Sequence, residues 1–213
     1  MILVLGVCGW AAACTGSLFQ SKVVAPSTYL LSAPSGIRTA ASSAPAPAPA
    51  PLAADLAVLK PRVRAGLDTD RIAVLYPDRR LQYFADARWS GSLDDVVQDL
   101  AMQAFRNGAQ LQNVSADASA FGSGYWLEIE IADFQAEYAS AGAPPTINVR
   151  LLARVGSAGT RHILGSFNAG ARQTATDNRL TAIVDAYERA VNAALAEIVE
   201  GTSRTLMETL KHP

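Results

Sequence analysis

The sequence predicts an α+β fold in which an antiparallel sheet packs against two helices on one face, as a two-layer sandwich. Two patterns support this prediction. Between residues 71 and 169, several runs alternate apolar and polar residues at the two-residue period of a strand. Two stretches, which begin near Ser92 and near Thr176, instead carry apolar residues at helical spacing. Because the strands have one polar face, the helices are expected to cover only the other face.

The stretch from Leu81 to Arg106 joins the two predicted layers. Its first part alternates as a strand, with one face formed by Leu81, Tyr83, Ala85, Ala87 and Trp89. Ser92 is a suitable helix N-cap, Asp95 follows as a variant of the capping box, and Gly108 can end the helix. The apolar stripe of this predicted helix consists of Leu93, Val96, Val97, Leu100, Ala101, Ala104 and Phe105.

The other predicted strands are Arg71 to Tyr76, Gln110 to Val114, Tyr125 to Tyr138, Thr146 to Val155 and Arg161 to Ala169. A change of phase near Asp133 indicates a β-bulge. The two long runs around Gly142 to Pro145 predict an antiparallel hairpin. Its outer face would pair acidic with basic side chains, namely Glu128, Glu130, Arg150 and Arg154. A solvated sheet face is therefore favoured over a carboxylate pair for acid–base chemistry.

The last predicted element is a long C-terminal helix capped by Thr176 or Asp177. Its apolar stripe consists of Leu180, Ile183, Val184, Tyr187, Val191, Ala194, Leu195, Ile198 and Val199. Gly201 is expected to interrupt the helix, which Leu206 and Leu210 could extend.

The N-terminal residues predict a bacterial lipoprotein signal peptide over residues 1–13. They carry no charge and end in small residues directly before Cys14. Cleavage would leave Cys14 as the first residue, with its thiol acylated, although Ala11 stands where a large aliphatic residue is usual. A plain secretory signal or a short buried helix are the alternatives, since the run is shorter than the roughly 20 residues of a membrane span. Thr15, rather than Asp, favours the outer membrane, facing the periplasm.

Residues 14–54 are predicted to form a lipidated tether, and residues 55–213 a single domain. The tether contains a short strand at Thr28 to Ser32, which could belong to the domain, and an Ala/Pro-rich spacer from Ala33 to Ala54. Alternating Ala-Pro favours extended polyproline II. The spacer could hold the domain away from the membrane, bind a partner, or be a solvated loop.

No pattern in the sequence indicates catalysis, a metal site or a cofactor. His162 and His212 lack metal-ligand spacing to other ligands, and there is no nucleophile elbow or phosphate-binding glycine loop. The formal net charge is −1 without any basic cluster, which argues against nucleic acid as a partner. A hydrolase assembled from scattered residues is the less favoured interpretation.

Several short stretches resemble the ABC-type transport auxiliary lipoproteins, in particular the paraquat-inducible-type lipoproteins that accompany MCE-domain lipid transporters. The residues that carry this resemblance are Cys14, Tyr29-Leu30-Leu31, Arg71-Ile72-Ala73-Val74, Leu81-Gln82-Tyr83-Phe84 leading into Arg88-Trp89, and Ser92-Leu93, together with the terminal helix. Tyr29, Leu31, Arg88 and Trp89 are the motif positions. The resemblance extends over most of residues 28–205, although the Ala-Pro insertion after Tyr29 departs from the family pattern.

The resemblance implies a non-enzymatic envelope protein with no catalytic residue. Such a protein would work with a permease, an ATPase and an MCE-domain protein in lipid transport between membranes, with phospholipid as a candidate ligand and a homo-oligomer as the expected assembly. Strand edges and the loop from Phe121 to Tyr125 are the expected contact surfaces, with a buried anchor as the equal alternative for this loop. Trp89 is interpreted as a core plug rather than a groove residue, and Arg88 as a surface or ion-paired residue. The alternative is an independent outer-membrane lipoprotein with an envelope assembly role.

Overall fold

The structure is a computed structural model that describes residues 25–33, 52–108, 111–116 and 122–211. Within these ranges the strands are Ser27–Tyr29 (β1), Leu52–Val58 (β2), Arg62–Val63 (β3), Arg71–Leu75 (β4), Leu81–Trp89 (β5), Leu111–Ser115 (β6), Tyr125–Glu137 (β7), Thr146–Ser157 (β8) and Ile163–Thr174 (β9). The helices are Leu93–Gly108 (α1) and Leu180–Lys211 (α2). The signal peptide, Cys14, most of the spacer, Phe121 and His212 lie outside the described residues.

The nine strands form one sheet organised around β7. One edge of β7 pairs with β8, which in turn pairs with β9, and both pairings are antiparallel. The other edge of β7 pairs in succession with the short strands β2, β3 and β4, all parallel to it. Beyond these, β5 pairs antiparallel with β4, while β1 and β6 lie parallel to β5 and β2. The α+β prediction is confirmed, and the sheet is mostly antiparallel.

The prediction of an antiparallel sheet did not include these parallel pairings. Alternation along a strand specifies which face is buried, but it does not specify the direction of the neighbouring strand. β2 was also missed: Leu52–Val58 begins inside the stretch assigned to the spacer, where its many alanines hide the strand. β1 pairs with β5, with Tyr29 opposite Trp89, so the early strand is part of the sheet.

β7 changes which of its alternate residues face the core. Leu127, Ile129 and Ile131 are fully buried, and the pairing with β8 then skips one residue, Ala132. This is the bulge expected near Asp133, and it moves Phe134 and the residues that alternate with it into the core. The alternate residues of this half of β7 consequently face the opposite side of the sheet.

α1 begins directly after the predicted cap residue, Ser92, and has the predicted stripe and end, but the Asp95 N–H is bonded to the Asp94 carboxylate rather than to the Ser92 hydroxyl. The Ser92 hydroxyl donates to the carboxylates of Asp94 and Asp95, and the Ser92 carbonyl accepts the Val96 N–H at 3.0 Å. Its buried residues are the seven predicted from spacing, and the helix ends at Gly108. Lys60 forms ion pairs with both aspartates of the first turn. The helix dipole also favours negative charge at this end of the helix.

α2 differs from the prediction at both ends. It begins at Leu180, after the expected caps, and the Asp177 carboxylate accepts the Asn178 N–H rather than one from the helix. The prediction that Gly201 interrupts the helix is wrong, because α2 continues to Lys211. The ring of Phe167 lies 2.7 Å from the position of a Cβ at Gly201, so the glycine admits that ring against the helix.

The apolar residues of the sheet and of both helices form one continuous core. At its centre the Trp89 ring meets the rings of Phe134 and Tyr187 edge-on, with centroids 6.0 and 5.1 Å away. The Tyr187 hydroxyl donates to the Ala73 carbonyl at 2.9 Å, which satisfies a polar group within this core. Packing of both helices on the same face of the sheet stays a prediction.

Candidate functional site

A cleft of about 540 Å³ opens over the second half of β7, on the face opposite the core. We call it the outer cleft. Two connections overhang it, the β3–β4 loop and the β4–β5 hairpin. Its lining residues are Arg64, Ala65, Leu67, Leu75, Tyr76, Pro77, Arg79, Leu81, Asp133, Gln135, Glu137, Tyr138 and Asn148. The bulge in β7 creates the polar floor, because it turns Asp133 and the residues that alternate with it toward this face.

Asp133 is the most deeply placed charge of the outer cleft, with only 8% of its surface exposed. Its two carboxylate oxygens accept from different guanidinium groups, Arg64 at 3.2 Å and Arg150 at 2.6 Å. Burial of a carboxylate is costly unless such partners replace its contacts with water. Asp133 therefore joins the β3–β4 loop to β8 across β7.

Glu137 lies further along the same floor and accepts three hydrogen bonds. They come from Asn148 at 2.8 Å, from Gln135 at 3.1 Å and from Arg172 at 2.6 Å. Burial raises the pKa of the Glu137 carboxyl, but these hydrogen bonds and the Arg172 charge outweigh burial, so the pKa lies below its usual value of 4.5. The Glu137 carboxylate is thus held in its charged form.

One wall of the outer cleft is apolar. The rings of Tyr76 and Tyr138 stack with centroids 5.8 Å apart and an interplanar angle of 14°. The Tyr138 hydroxyl donates to Asn178 at 2.6 Å, and burial raises the pKa of this phenol above 10. Leucine side chains and Pro77 complete the wall. Leu81, 38% exposed, is the large apolar side chain that the hairpin presents to solvent here.

The rim of the outer cleft carries Arg79, at the turn of the β4–β5 hairpin. Its backbone has φ 67°, and its N–H donates to the Tyr76 carbonyl at 2.9 Å. Among the described residues, its guanidinium forms neither an ion pair nor a hydrogen bond, in contrast to Arg64 on the floor. The neighbouring Arg80 is paired with Asp78. Arg79 is therefore a guanidinium with all of its donors available at the mouth of the cleft.

The chemistry of the outer cleft suits binding rather than proton transfer. Both floor carboxylates are neutralised by guanidinium groups, and no group of three metal-ligating side chains occurs in the part of the chain that the structure describes. The rim offers hydrogen-bond donors, the wall offers apolar contact, and the floor fixes both in place. These are the components of a small-molecule or partner-binding site.

None of the motif residues expected from the sequence lines the outer cleft. Trp89 is 2% exposed in the core, and Arg88 is exposed beside Asp70, with 3.6 Å between the charged groups. Tyr29 and Leu31 are half-buried and pack against the core. The cleft residues come from four separate segments, which sequence spacing could not bring together. The only sequence signal was the acidic residue at the expected bulge.

The model of the family described as "ABC-type transport auxiliary lipoprotein component" matches residues 29–199. The chain belongs to this family. The resemblance noted in the sequence is thereby confirmed at the level of the family. The match begins at Tyr29, the residue that β1 pairs with Trp89, and ends within α2. The matched segment therefore includes the whole sheet from Tyr29 onward and the entire outer cleft.

Solved structures with the same fold support the architecture of this auxiliary lipoprotein. Protein XCC0632 from Xanthomonas campestris superimposes with a TM-score of 0.73 at 22% identity, over 87% of this chain and 99% of that one. An uncharacterized protein superimposes with a TM-score of 0.56 at 12% identity, over 85% and 98%. At these identities the likeness shows the fold alone. No curated protein matches the chain.

No helix among the described residues is long and apolar enough to cross a membrane.

Proposed function

We propose that this auxiliary lipoprotein is anchored in the outer membrane through acylated Cys14 and docks the periplasmic part of an MCE-domain lipid transporter. The permease and ATPase of the same ABC-type system would complete the assembly. The observation that carries the proposal is the family match over residues 29–199. In this role the protein acts by contact rather than by catalysis, in agreement with the neutralised carboxylates of its cleft.

The attachment of the early strand to the domain supports a short distance between domain and membrane. β1 pairs with β5 from Ser27 onward, and α2 then holds Ser32 at both backbone groups. The Ser32 N–H donates to the Glu188 carboxylate at 2.9 Å, and its carbonyl accepts from the Asn192 amide at 3.0 Å. The free reach from Cys14 to Ser27 is then at most about 45 Å, even in a fully extended chain.

The Ala/Pro-rich stretch connects β1 with β2, and both of these strands belong to the same sheet. Its length therefore does not set how far the domain stands from the membrane. This argues against the interpretation of the stretch as a spacer that holds the domain away from the membrane. The segment between Cys14 and Ser27 would set that distance instead. A docking protein with a short tether is confined to a layer close to its own membrane, where the end of a periplasmic assembly would meet it.

A homo-oligomer is part of the proposal, because a ring-shaped MCE partner would match a symmetric ring of docking subunits. Free strand edges are the candidate contacts between copies. Among the described strands, β1, β3, β6 and β9 each pair with one neighbour only, and β3 is just two residues long. The edge of β9 is partly occupied, since the Gly170 N–H donates to Glu197 of α2 at 3.1 Å. β1 and β6 are therefore the better candidates.

The first test is crosslinking in cells, followed by purification of the lipoprotein and mass spectrometry. Recovery of an MCE-domain protein is expected. Cys14→Ala should abolish fatty-acid labelling, release the protein from the outer-membrane fraction and remove the crosslink. Reproducible absence of an MCE-domain protein would favour an independent lipoprotein with an envelope assembly role.

Two deletions of equal length test the tether. Deleting residues 17–23 shortens the reach by about 24 Å, and should weaken the crosslink to the partner. Deleting residues 40–46 removes the same number of residues between β1 and β2, and should leave the crosslink unchanged. The opposite pattern would show that the Ala/Pro-rich stretch, not the N-terminal segment, sets the distance to the membrane.

A further inference from the structure

We propose that the outer cleft binds the phosphate group of an organic phosphate, with the Arg79 guanidinium as its principal ligand and Arg64 beside it. The carbon part of the ligand would lie along the wall formed by Tyr76 and Tyr138. The proposal goes beyond docking and does not depend on it, because it rests only on the side chains of the cleft.

The charge around the outer cleft favours an anion. Arg64 and Arg79 line the cleft together with two carboxylates, those of Asp133 and Glu137. Two more guanidinium groups, those of Arg150 and Arg172, pair with these carboxylates from the neighbouring strands. Four positive groups thus meet two negative groups, which leaves two positive charges. Arg80 does not alter this balance, because Asp78 neutralises it.

The hydrogen bonds of the outer cleft also favour an anionic ligand, independently of the charge balance. The carboxylate oxygens on the floor already accept from Arg64, Arg150, Asn148, Gln135 and Arg172. A ligand that brought only donors would have to displace one of these contacts. The Arg79 guanidinium at the rim, in contrast, has five donors and no acceptor among the described residues. A ligand rich in acceptors is therefore favoured, and a phosphate matches the planar fork of a guanidinium.

The wall of the outer cleft favours an organic phosphate over inorganic phosphate. The stacked tyrosine rings, together with Leu75 and Leu81, offer apolar surface beside the guanidinium groups. A cavity of about 540 Å³ is far larger than phosphate alone requires, and falls in the range of small-molecule sites. Two sources share this chemistry: the headgroup of a phospholipid, and a soluble phosphate ester.

The test is calorimetric titration of the purified full-length lipoprotein in neutral detergent with three probes. These are phosphatidylglycerol in mixed micelles, its soluble headgroup glycerophosphoglycerol, and inorganic phosphate. Binding of phosphatidylglycerol alone identifies a lipid as the source, and equal binding of the soluble headgroup identifies a soluble ester. Equal affinity for inorganic phosphate would overturn the organic part of the proposal, and no heat with any probe would overturn it entirely.

Variants at one position of the hairpin sharpen the test. Arg79→Gln should weaken binding by a factor of at least about 10, because a hydrogen-bonded charge is lost. Arg79→Lys keeps the charge without the fork and should give an intermediate affinity. Arg161→Gln is the matched control, since Arg161 also lies in an exposed turn with positive φ, here 58°, but at the far end of β8.

All three variants should keep the melting temperature of the wild-type protein, since neither arginine has a side-chain partner among the described residues that its loss would leave unpaired. An unchanged affinity in Arg79→Gln would remove Arg79 from the site. An equal loss of affinity in Arg161→Gln would show that the effect comes from the net charge of the protein rather than from the outer cleft.

Discussion

The two faces of β7 bury their side chains by different physical means. Phe134, 1% exposed, packs between aromatic rings in the core, whereas its neighbour Asp133, 8% exposed, is held by two arginines on the opposite face. Burial of the first depends on area and shape, and burial of the second on directed charge pairs. The core face should therefore carry most of the stability, and the outer face most of the specificity.

Trp89→Ala should have the largest effect, because it removes the ring at the centre of the core face. Trp89 is 2% exposed and contacts both Phe134 and Tyr187. We expect a loss of about 3–5 kcal/mol in the free energy of unfolding, measured by urea denaturation. Leu30→Ala is the control, since Leu30 is 72% exposed and its truncation should be nearly neutral. Equal midpoints for Trp89→Ala and the wild type would refute the core interpretation.

Gly156→Ala tests packing on the outer face. Its β8 position lies opposite Trp126, whose ring occupies the space that a Cβ would need. We expect a loss of about 1–3 kcal/mol from this overpacking. Gly124→Ala is the control, because no atom lies within 4 Å of its Cβ position. Adding Trp126→Ala to Gly156→Ala should cost less than the sum of the single changes. Strict additivity would show that the two residues do not compete for space.

Much of the core face could be predicted from the sequence, because it depends on periodicity. The seven buried residues of α1, the β7–β8 hairpin and the bulge near Asp133 all follow from local spacing. The misses have local explanations as well. β2 is rich in alanine and lacks alternation, and Gly201 looks like a helix break only until Phe167 is seen against it.

The outer cleft could not be predicted, because its residues are brought together by pairing that leaves no periodic trace. Arg64 reaches Asp133 only because β3 lies parallel to β7, and Tyr76 meets Tyr138 only because β4 does. A run of alternating residues does not encode these parallel neighbours. The motif residues Tyr29 and Trp89, in contrast, are opposite each other in the sheet, and the structure places them in and against the core.

Asp133→Asn should destabilise the outer face less than Trp89→Ala destabilises the core. The substitution keeps the shape of the side chain but removes the charge shared by Arg64 and Arg150, which are 64% and 55% exposed. Because both arginines can be rehydrated, we expect a loss of only about 1–2 kcal/mol. Glu200→Gln is the matched control, since its pair with Arg204 is largely exposed and should contribute almost nothing. Equal losses in the two variants would mean that burial does not strengthen the Asp133 pairs.

The smallest effect is expected at the first turn of α1, and it depends on pH. Hydrogen bonds from Lys60 and Ser92 lower the pKa of Asp95 below 3.8. Burial raises the pKa of Asp94, but hydrogen bonds from Ser92, Lys60 and the Asp95 N–H outweigh it and lower that pKa as well. A lowered carboxyl pKa contributes stability that is complete above the unfolded value, near pH 4, and is lost as the pH falls through the folded value.

Lys60→Gln should therefore lower the melting temperature at pH 7, where both aspartates are charged in the folded and the unfolded state. The difference from the wild type should disappear as the pH falls below the lowered pKa values of the two aspartates, because the protonated carboxyls lose their attraction for the lysine. Lys211 has no ion pair among the described residues. The melting-temperature difference between Lys211→Gln and the wild type should therefore not disappear at low pH in this way. A difference between Lys60→Gln and the wild type that stays constant from pH 7 to pH 2.5 would assign the effect to packing of the lysine stem. The cap of α1 would then be stabilised by the same non-directional contacts as the core face, rather than by charge.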